Sequence, residues 1–421
     1  MMRVGLALAS FLILLALGGC FQPAPAERIV LIVVDTLRRD GLSCYGGSTP
    51  TPNIDALSEE GHIFPNAVAS FHQTTMSMGA MFTGHTPSIE SGQNDGTLEF
   101  NGRTWCGLAR FADAKGEKGC IPLSIPTLPE FLREAGYWTI GIMSNPFMFQ
   151  PAGFERGFDA WVEVGESPSG DGPRRILHFL ASSESRTAEH VNAAVVQALS
   201  ERAHDKIFLY VHYMDVHDYP FAGMSYSEAV AKMDRAVGEL LQKLKEEDLY
   251  AGTVILFISD HGERFGEQHL VDGLPGHFGN PSFEEVLRVP LIISPRRFDD
   301  VSRLVRSQDV FQLIAGMAGV RPRVPRVLEP GELFLTEGSW RTYRKGRWKS
   351  FIRREDGRVF LVDLTEDPAE RRDVADQNPS VVKEHRERTT ILAQQLAARD
   401  APASELSPED RARLRSLGYL E

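Results

Sequence analysis

The sequence predicts an α/β protein with a largely parallel central sheet and a small antiparallel subdomain at its C-terminus. Three observations carry that expectation. Continuous apolar, β-branched runs (Ile29 to Val34, Trp138 to Met143, Ile207 to Val211, Val254 to Ile258) are each followed at once by polar residues. Strands buried on both faces of a covered sheet have this texture. Amphipathic helical patterns lie between the runs, and strands alternating with helices imply parallel pairing. After Gly331 the pattern changes to short alternating stretches, Glu332 to Glu337, Arg347 to Arg353 and Val359 to Leu364, with Asp356-Gly357 as a hairpin turn signal.

In chain order, Arg3 precedes an apolar run from Val4 to Leu17 that closes on Leu17-Gly18-Gly19-Cys20. The run falls short of the roughly 20 apolar residues of a membrane-spanning helix. Small residues running directly into Cys resemble a bacterial lipobox, so residues 1–20 read as a lipoprotein signal peptide with lipid on Cys20. Residues 21–27, with Pro23 and Pro25, read as a tether. The expected address is the periplasm or cell envelope, with the membrane as partner through the lipid anchor.

Residues 28–331 are the expected main α/β domain. Within it Thr127 and Glu130 have capping-box spacing with Gly136 beyond the helix end, and Val230, Met233, Val237, Leu240, Leu241 and Leu244 line one helical face. Residues 332–421 are the expected C-terminal subdomain: the antiparallel sheet, a polar helix from about Ser380 to Ala398, and a tail ending Leu417-Gly418-Tyr419-Leu420.

The 421 residues are 42% hydrophobic, enough for a well-buried core. Lys and Arg number 45 against 57 Asp and Glu, so the surface is mildly acidic and has no general attraction for nucleic acid. The basic run Arg341, Arg344, Lys345, Arg347, Lys349, Arg353 and Arg354 reads as the solvated face of a hairpin. Three cysteines follow Cys20. Cys106 and Cys120 flank one loop and are expected to pair after export, leaving Cys44 over.

Candidate chemistry sits at the strand ends, where ligands of an open α/β sheet gather. In Ile258-Ser259-Asp260-His261-Gly262-Glu263 a carboxylate and an imidazole leave a strand side by side, an oxygen- and nitrogen-bearing half-site for a divalent ion. Asp35, at the end of the first run, supplies another carboxylate. Alone, Asp35 reads as a helix cap and His261 as a core histidine. Together, three metal-capable groups at the strand ends of one sheet imply an ion that compensates their charge.

Val34-Asp35-Thr36-Leu37-Arg38 with Cys44-Tyr45-Gly46, then Thr51-Pro52-Asn53-Ile54-Asp55, resembles the start of the sulfatase family of the alkaline phosphatase superfamily. The likeness recurs in Phe82-Thr83-Gly84, Asp215-Val216-His217, Met233-Asp234, the Asp260-His261 motif, and Glu284-Glu285-Val286-Leu287-Arg288-Val289-Pro290. It returns in Val362-Asp363-Leu364 with Asp367-Pro368 and in Leu417-Gly418-Tyr419. An ordered series of motifs is far more specific than any one.

The resemblance implies an alkaline-phosphatase-like sandwich that cleaves an anionic ester with one divalent metal ion, Ca²⁺, Mg²⁺ and Mn²⁺ being equally compatible. Asp35, Asp260 and His261 match the family's metal ligands. Counting back from Thr83-Gly84 puts the nucleophile position on Thr74, at the start of a buried helix, where its hydroxyl would join the ion. Thr75 and Ser77 are the neighbours a register slip would select. His217 matches a histidine that contacts the bound anion, and His277, in Pro275-Gly276-His277, matches the family's histidine or lysine near the leaving group.

Two departures limit the likeness. Sulfatases proper convert Cys or Ser at the nucleophile position to formylglycine and follow it with Pro, Ser and Arg. Here the stretch reads Thr74-Thr75-Met76-Ser77-Met78, and the usual second Asp is replaced by Thr36. A Thr nucleophile forms a simple ester that water must cleave, which suits phosphoryl better than sulfuryl groups. The expected function is a metal-dependent hydrolase of a sulfate or phosphate ester. The rivals are a phosphoryl-group transferase or phosphodiesterase acting on envelope components, and a catalytically silent binding protein of the same fold. His72, His85, His212 and His269 lie near motifs without an assigned role, and Asp215 would serve only a two-metal site. Loops Asn94 to Gly119 and Gly165 to Arg186 are expected to set the substrate.

Overall fold

The computed structural model describes residues 24–88, 98–100, 103–105, 121, 125–145, 148, 153–165, 183–200, 206–273, 276–277 and 279–396. The lipobox with Cys20, the Cys106/Cys120 pair, most of both substrate loops and the C-terminal tail lie outside the described residues.

Seven strands form the main sheet: β1 (Arg28–Val34), β2 (His62–Ile63), β3 (Trp138–Met143), β4 (Ala160–Glu163), β5 (Ile207–Tyr213), β6 (Thr253–Ser259) and β7 (Leu291–Ser294). Their order is β2-β7-β6-β1-β5-β3-β4. β1 is central and parallel to both β6 and β5, β3 and β4 continue in the same direction, and β7 runs antiparallel. Successive side chains of a strand point to opposite faces, and β1 shows the consequence. Ile29, Leu31 and Val33 enter one apolar core, and Val30, Ile32 and Val34 enter the other.

Helices cover both faces. α2 (Thr74–Thr83), α3 (Leu128–Glu134) and α6 (Asp309–Met317) pack on the first through Met78, Phe82, Leu132 and Phe311. α1 (Pro52–Glu60), α4 (Ala188–Ser200) and α5 (Tyr226–Glu246) pack on the second through Ile54, Val195, Val237 and Leu240. The Thr127/Glu130 capping box is present, and the expected apolar face of α5 is buried along its length.

Residues 332 to 363 make a separate antiparallel sheet, β8 (Glu332–Glu337), β9 (Trp340–Lys345), β10 (Trp348–Arg353) and β11 (Val359–Asp363), in sequence order. α7 (Pro379–Leu396) packs against it through Leu392 and Leu396. The basic run departs from its expected solvated face at Arg344 and Lys349, while Lys345 and Arg347 are exposed. Trp340–Lys345 is a full strand, and Lys349 is completely buried, its Nζ 3.0 Å from Glu284 Oε1 and 2.6 Å from Glu370 Oε1. Arg344 joins the same Glu284 at 3.1 Å. A buried ammonium needs paired carboxylates to offset its lost hydration. The acids that supply them lie 65 and 21 residues away in sequence, beyond the reach of local charge patterning.

Candidate active site

β1 and β6 end side by side and deliver their polar residues to one point. Asp35, Asp260 and His261 are fully buried there. Asp260 Oδ1 accepts from the backbone N–H groups of His261 (2.8 Å) and Thr36 (3.2 Å), which ties the two strand exits together. Thr36 has a φ of +55°, a left-handed conformation that costs a β-branched residue on the order of 1–3 kcal/mol. Its carbonyl accepts from Tyr226 Oη at 2.9 Å, which helps hold it there. At the other exit Gly262 is required, because a Cβ would lie 2.1 Å from the Glu285 carbonyl oxygen.

α2 brings Thr74 to the same point as its first residue. The preceding Gln73 is the N-cap and makes no side-chain capping bond. Thr74 does not act as a cap either. Its Oγ1 donates to Asp35 Oδ2 at 3.2 Å and lies 3.3 Å from His261 Nε2. Ser77 Oγ donates instead to the Asp260 carbonyl at 2.6 Å, so Thr74 is the hydroxyl of α2 that meets these ionisable side chains.

Three imidazoles stand in a row at the site. The His277 ring centroid is 4.5 Å from that of His261 and 5.5 Å from that of His217. Each is held by a neighbour. His261 Nδ1 lies 3.0 Å from the Gly262 carbonyl, His277 Nδ1 lies 3.0 Å from Glu263 Oε2, and His217 Nδ1 lies 3.0 Å from Asp218 Oδ1. Asp218 is fixed in turn by the buried Arg186 at 2.7 Å. Buried His72 supports the row from behind, with Nδ1 3.0 Å from the His277 carbonyl and Nε2 2.6 Å from Glu337 Oε2.

Electrostatics separate the roles. Burial pushes the Asp35 carboxyl up, but the close imidazole of His212 and the charge of His217 outweigh it and hold Asp35 well below the usual carboxylate range. Burial and the neighbouring Asp35 charge push Asp260 well above that range. Burial, with His277 beside it, drives His261 well below the ordinary imidazole value, so it is neutral. For His217 burial acts downward, yet the Asp218 hydrogen bond and the charges of Asp35, Asp218 and Glu263 raise it to about 9. It is therefore an imidazolium at neutral pH.

Two buried carboxylates at one point are costly without a cation. Asp35 Oδ1 and Asp260 Oδ2 are buried with no hydrogen-bond partner. Orphaned acceptors of this kind fit a divalent ion held by Asp35, Asp260 and His261, with the Thr74 hydroxyl adjoining.

All the residues singled out for chemistry in the described part of the sequence (Asp35, Thr74, His217, Asp260, His261 and His277) are brought together. The sequence reading left His212 without a role and did not single out Asn145 for the site. Asn145 Nδ2 donates to Asp35 Oδ2 at 2.8 Å, and His212 Nε2 lies 3.4 Å from the same oxygen. Both follow or close apolar runs, which was the signal available for them. Asp215, weighed for a second metal, pairs with Lys232 at 3.0 Å.

Residues 27–320 match the family model described as Sulfatase. Among relatives, N-acetylgalactosamine-6-sulfatase of Canis lupus familiaris is 27% identical over 74% of this chain and 66% of its own length. The chain thus spans just under two thirds of that protein. Among solved structures, an alkaline phosphatase superfamily protein from Vibrio parahaemolyticus matches with a TM-score of 0.62 and 17% identity over 89% of both chains. Phosphonate monoester hydrolase of Agrobacterium radiobacter matches with a TM-score of 0.59 and 17% identity, covering 88% of this chain and 96% of its own. The central sheet with its C-terminal antiparallel sheet is thus an alkaline-phosphatase-like fold.

Proposed function

The chain belongs to the sulfatase family, and from that membership we propose that it is a metal-dependent hydrolase of anionic esters with Thr74 as nucleophile and a preference for phosphate esters or diesters over sulfate esters. The observation that carries the reading is the Thr74 hydroxyl, set between Asp35 and neutral His261, whose ring adjoins His277 and through it His217.

A divalent ion held by Asp35, Asp260 and His261 supplies charge that eases ionisation of a nearby hydroxyl and polarises the ester. The chain's own groups do the rest. His217, an imidazolium, holds a non-bridging oxygen of the anion. Thr74 Oγ1, its proton donated toward Asp35, forms a bond to phosphorus as the bond to the leaving oxygen breaks. His277, held by Glu263, gives that oxygen a proton. Water then cleaves the Thr74 ester, releasing phosphate and restoring the hydroxyl. A Thr ester lacks the second hydroxyl by which a hydrated formylglycine expels sulfate, and this is the reason for the substrate preference.

A panel of aryl sulfates, phosphate monoesters and phosphodiesters tests the proposal. Phosphate esters or diesters are expected to turn over faster by at least tenfold. Faster sulfate turnover would remove the preference, and no turnover on any class would remove the activity. The proposed address is the cell envelope, with lipid on Cys20. Cys20→Ala is expected to move the protein from the membrane pellet to the soluble fraction, and retention in the pellet would refute the anchor.

A further inference from the structure

Among the described residues, the exposed large apolar side chains are Phe221, Met224, Phe265 and Ile391. Ile391 lies on α7. The other three lie on the two loops that leave the site. Phe221 and Met224 follow His217 by four and seven residues, and Phe265 follows Glu263, which holds His277, by two.

Phe265 is 49% exposed, yet it is fixed in place. Its ring centroid is 4.8 Å from that of Tyr226 and 6.5 Å from that of Tyr219, both edge to face, and the Arg38 guanidinium lies 4.7 Å from it. Arg38 donates to Asp40, Glu267 and the Glu263 carbonyl, and Tyr226 Oη donates to the Thr36 carbonyl, so both supports are tied to the strand exits. The Phe265 N–H donates to Glu267 at 2.7 Å. Burial and the charge of Glu263 raise the Tyr219 hydroxyl, so this ring stands near the carboxylate that holds His277. The Asp218 carbonyl accepts from the N–H groups of Phe221 and Ala222, each at 3.0 Å, which builds the adjoining turn on the residue that holds His217. Apolar area held rigidly in water beside a polar site is relieved when a ligand covers it.

We propose that Tyr219 and Phe265, with Phe221 on the adjoining turn, form an aromatic rim that receives an apolar leaving group of the ester, an aryl ring above all. The inference rests on the hydrolase reading, in which His277 faces the leaving oxygen, and it names the substrate class of that same site. The rim suits an apolar group better than a sugar, because the Arg38 guanidinium is already engaged by Asp40, Glu267 and Glu263. It also suits a substrate better than a membrane. The chain enters β1 at Arg28, the end opposite the site, with the Ala26 N–H bound to the Met317 carbonyl at 2.8 Å. A lipid on Cys20 would draw that opposite end toward the bilayer.

Calorimetry on the Cys20→Ala chain, loaded in turn with Ca²⁺, Mg²⁺ and Mn²⁺, compares benzylphosphonate, in which CH₂ replaces the leaving oxygen, with methylphosphonate. Benzylphosphonate is expected to bind at least tenfold more tightly. Adding Phe265→Ala is expected to weaken benzylphosphonate by roughly tenfold, the weight of one aromatic contact, and methylphosphonate by less than about twofold. Phe221→Ala repeats the comparison should Phe265→Ala fail to fold. Equal affinity for the two phosphonates, or equal losses in the variant, would overturn the rim and leave the anion site standing. Folded, metal-loaded protein that binds neither would instead overturn the reading beneath it. Vesicles of phosphatidylglycerol and phosphatidylethanolamine that retain the Cys20→Ala chain, but release it once Phe265→Ala is added, would assign the rim to a membrane and overturn the proposal.

Discussion

Thr74→Ala is expected to lower kcat/KM by on the order of 10⁴- to 10⁶-fold, the loss that follows removal of a covalent nucleophile, with the fold intact. The reason is geometric. Thr74 Oγ1 is the group of α2 that lies within hydrogen-bonding distance of both Asp35 and His261, and alanine removes it without disturbing the helix start, which uses no side-chain cap. Thr75→Ala, one residue along on a partly exposed face, is expected to lose less than about tenfold. Steady-state kinetics on the best ester of the panel, with circular dichroism as a check on folding, compare the two. Equal losses in both variants would point to helix disruption rather than loss of a nucleophile.

Asp260→Asn is expected to remove bound metal and activity together, while making the metal-free protein more stable. Metal loss follows from deleting one of two carboxylate charges at the ion. The gain in apo stability follows from the same charges in the ion's absence, because Asp260 is fully buried beside Asp35 and both effects oppose its ionisation. Asparagine keeps an acceptor for the Thr36 and His261 N–H groups, so the tie between strand exits survives. Thermal melts with and without metal read both effects. Saturating metal, at about 100 times its Kd, is expected to stabilise the wild type by roughly 2.7 kcal/mol and the variant by nothing. A variant that still melts higher with metal would place the ion elsewhere.

The central sheet and the carboxylate-bearing strand ends were legible because both obey local rules. Ile29 to Val34 and Val254 to Ile258 are continuous apolar runs, and a chain leaving such a strand places its next residues at the sheet edge where ligands collect. The place of Thr74 beside Asp35 and His261 was legible only through the ordered resemblance, since nothing about Thr74-Thr75-Met76 distinguishes a site hydroxyl from a helix cap. What stayed hidden depends on contacts between distant segments. Asn145 reaches Asp35 across 110 residues, and Lys349 reaches Glu284 across 65. The burial of Lys349 is visible only once both acids that neutralise it are placed.

Mass spectrometry of enzyme quenched with acid during turnover of a phosphate ester tests the central claim most directly. A phosphoryl adduct is expected on Thr74 in the wild type and on no residue in Thr74→Ala. An adduct on Thr75 or Ser77, or full turnover with no adduct in a rapid-quench time course, would contradict the assignment of Thr74 as the nucleophile.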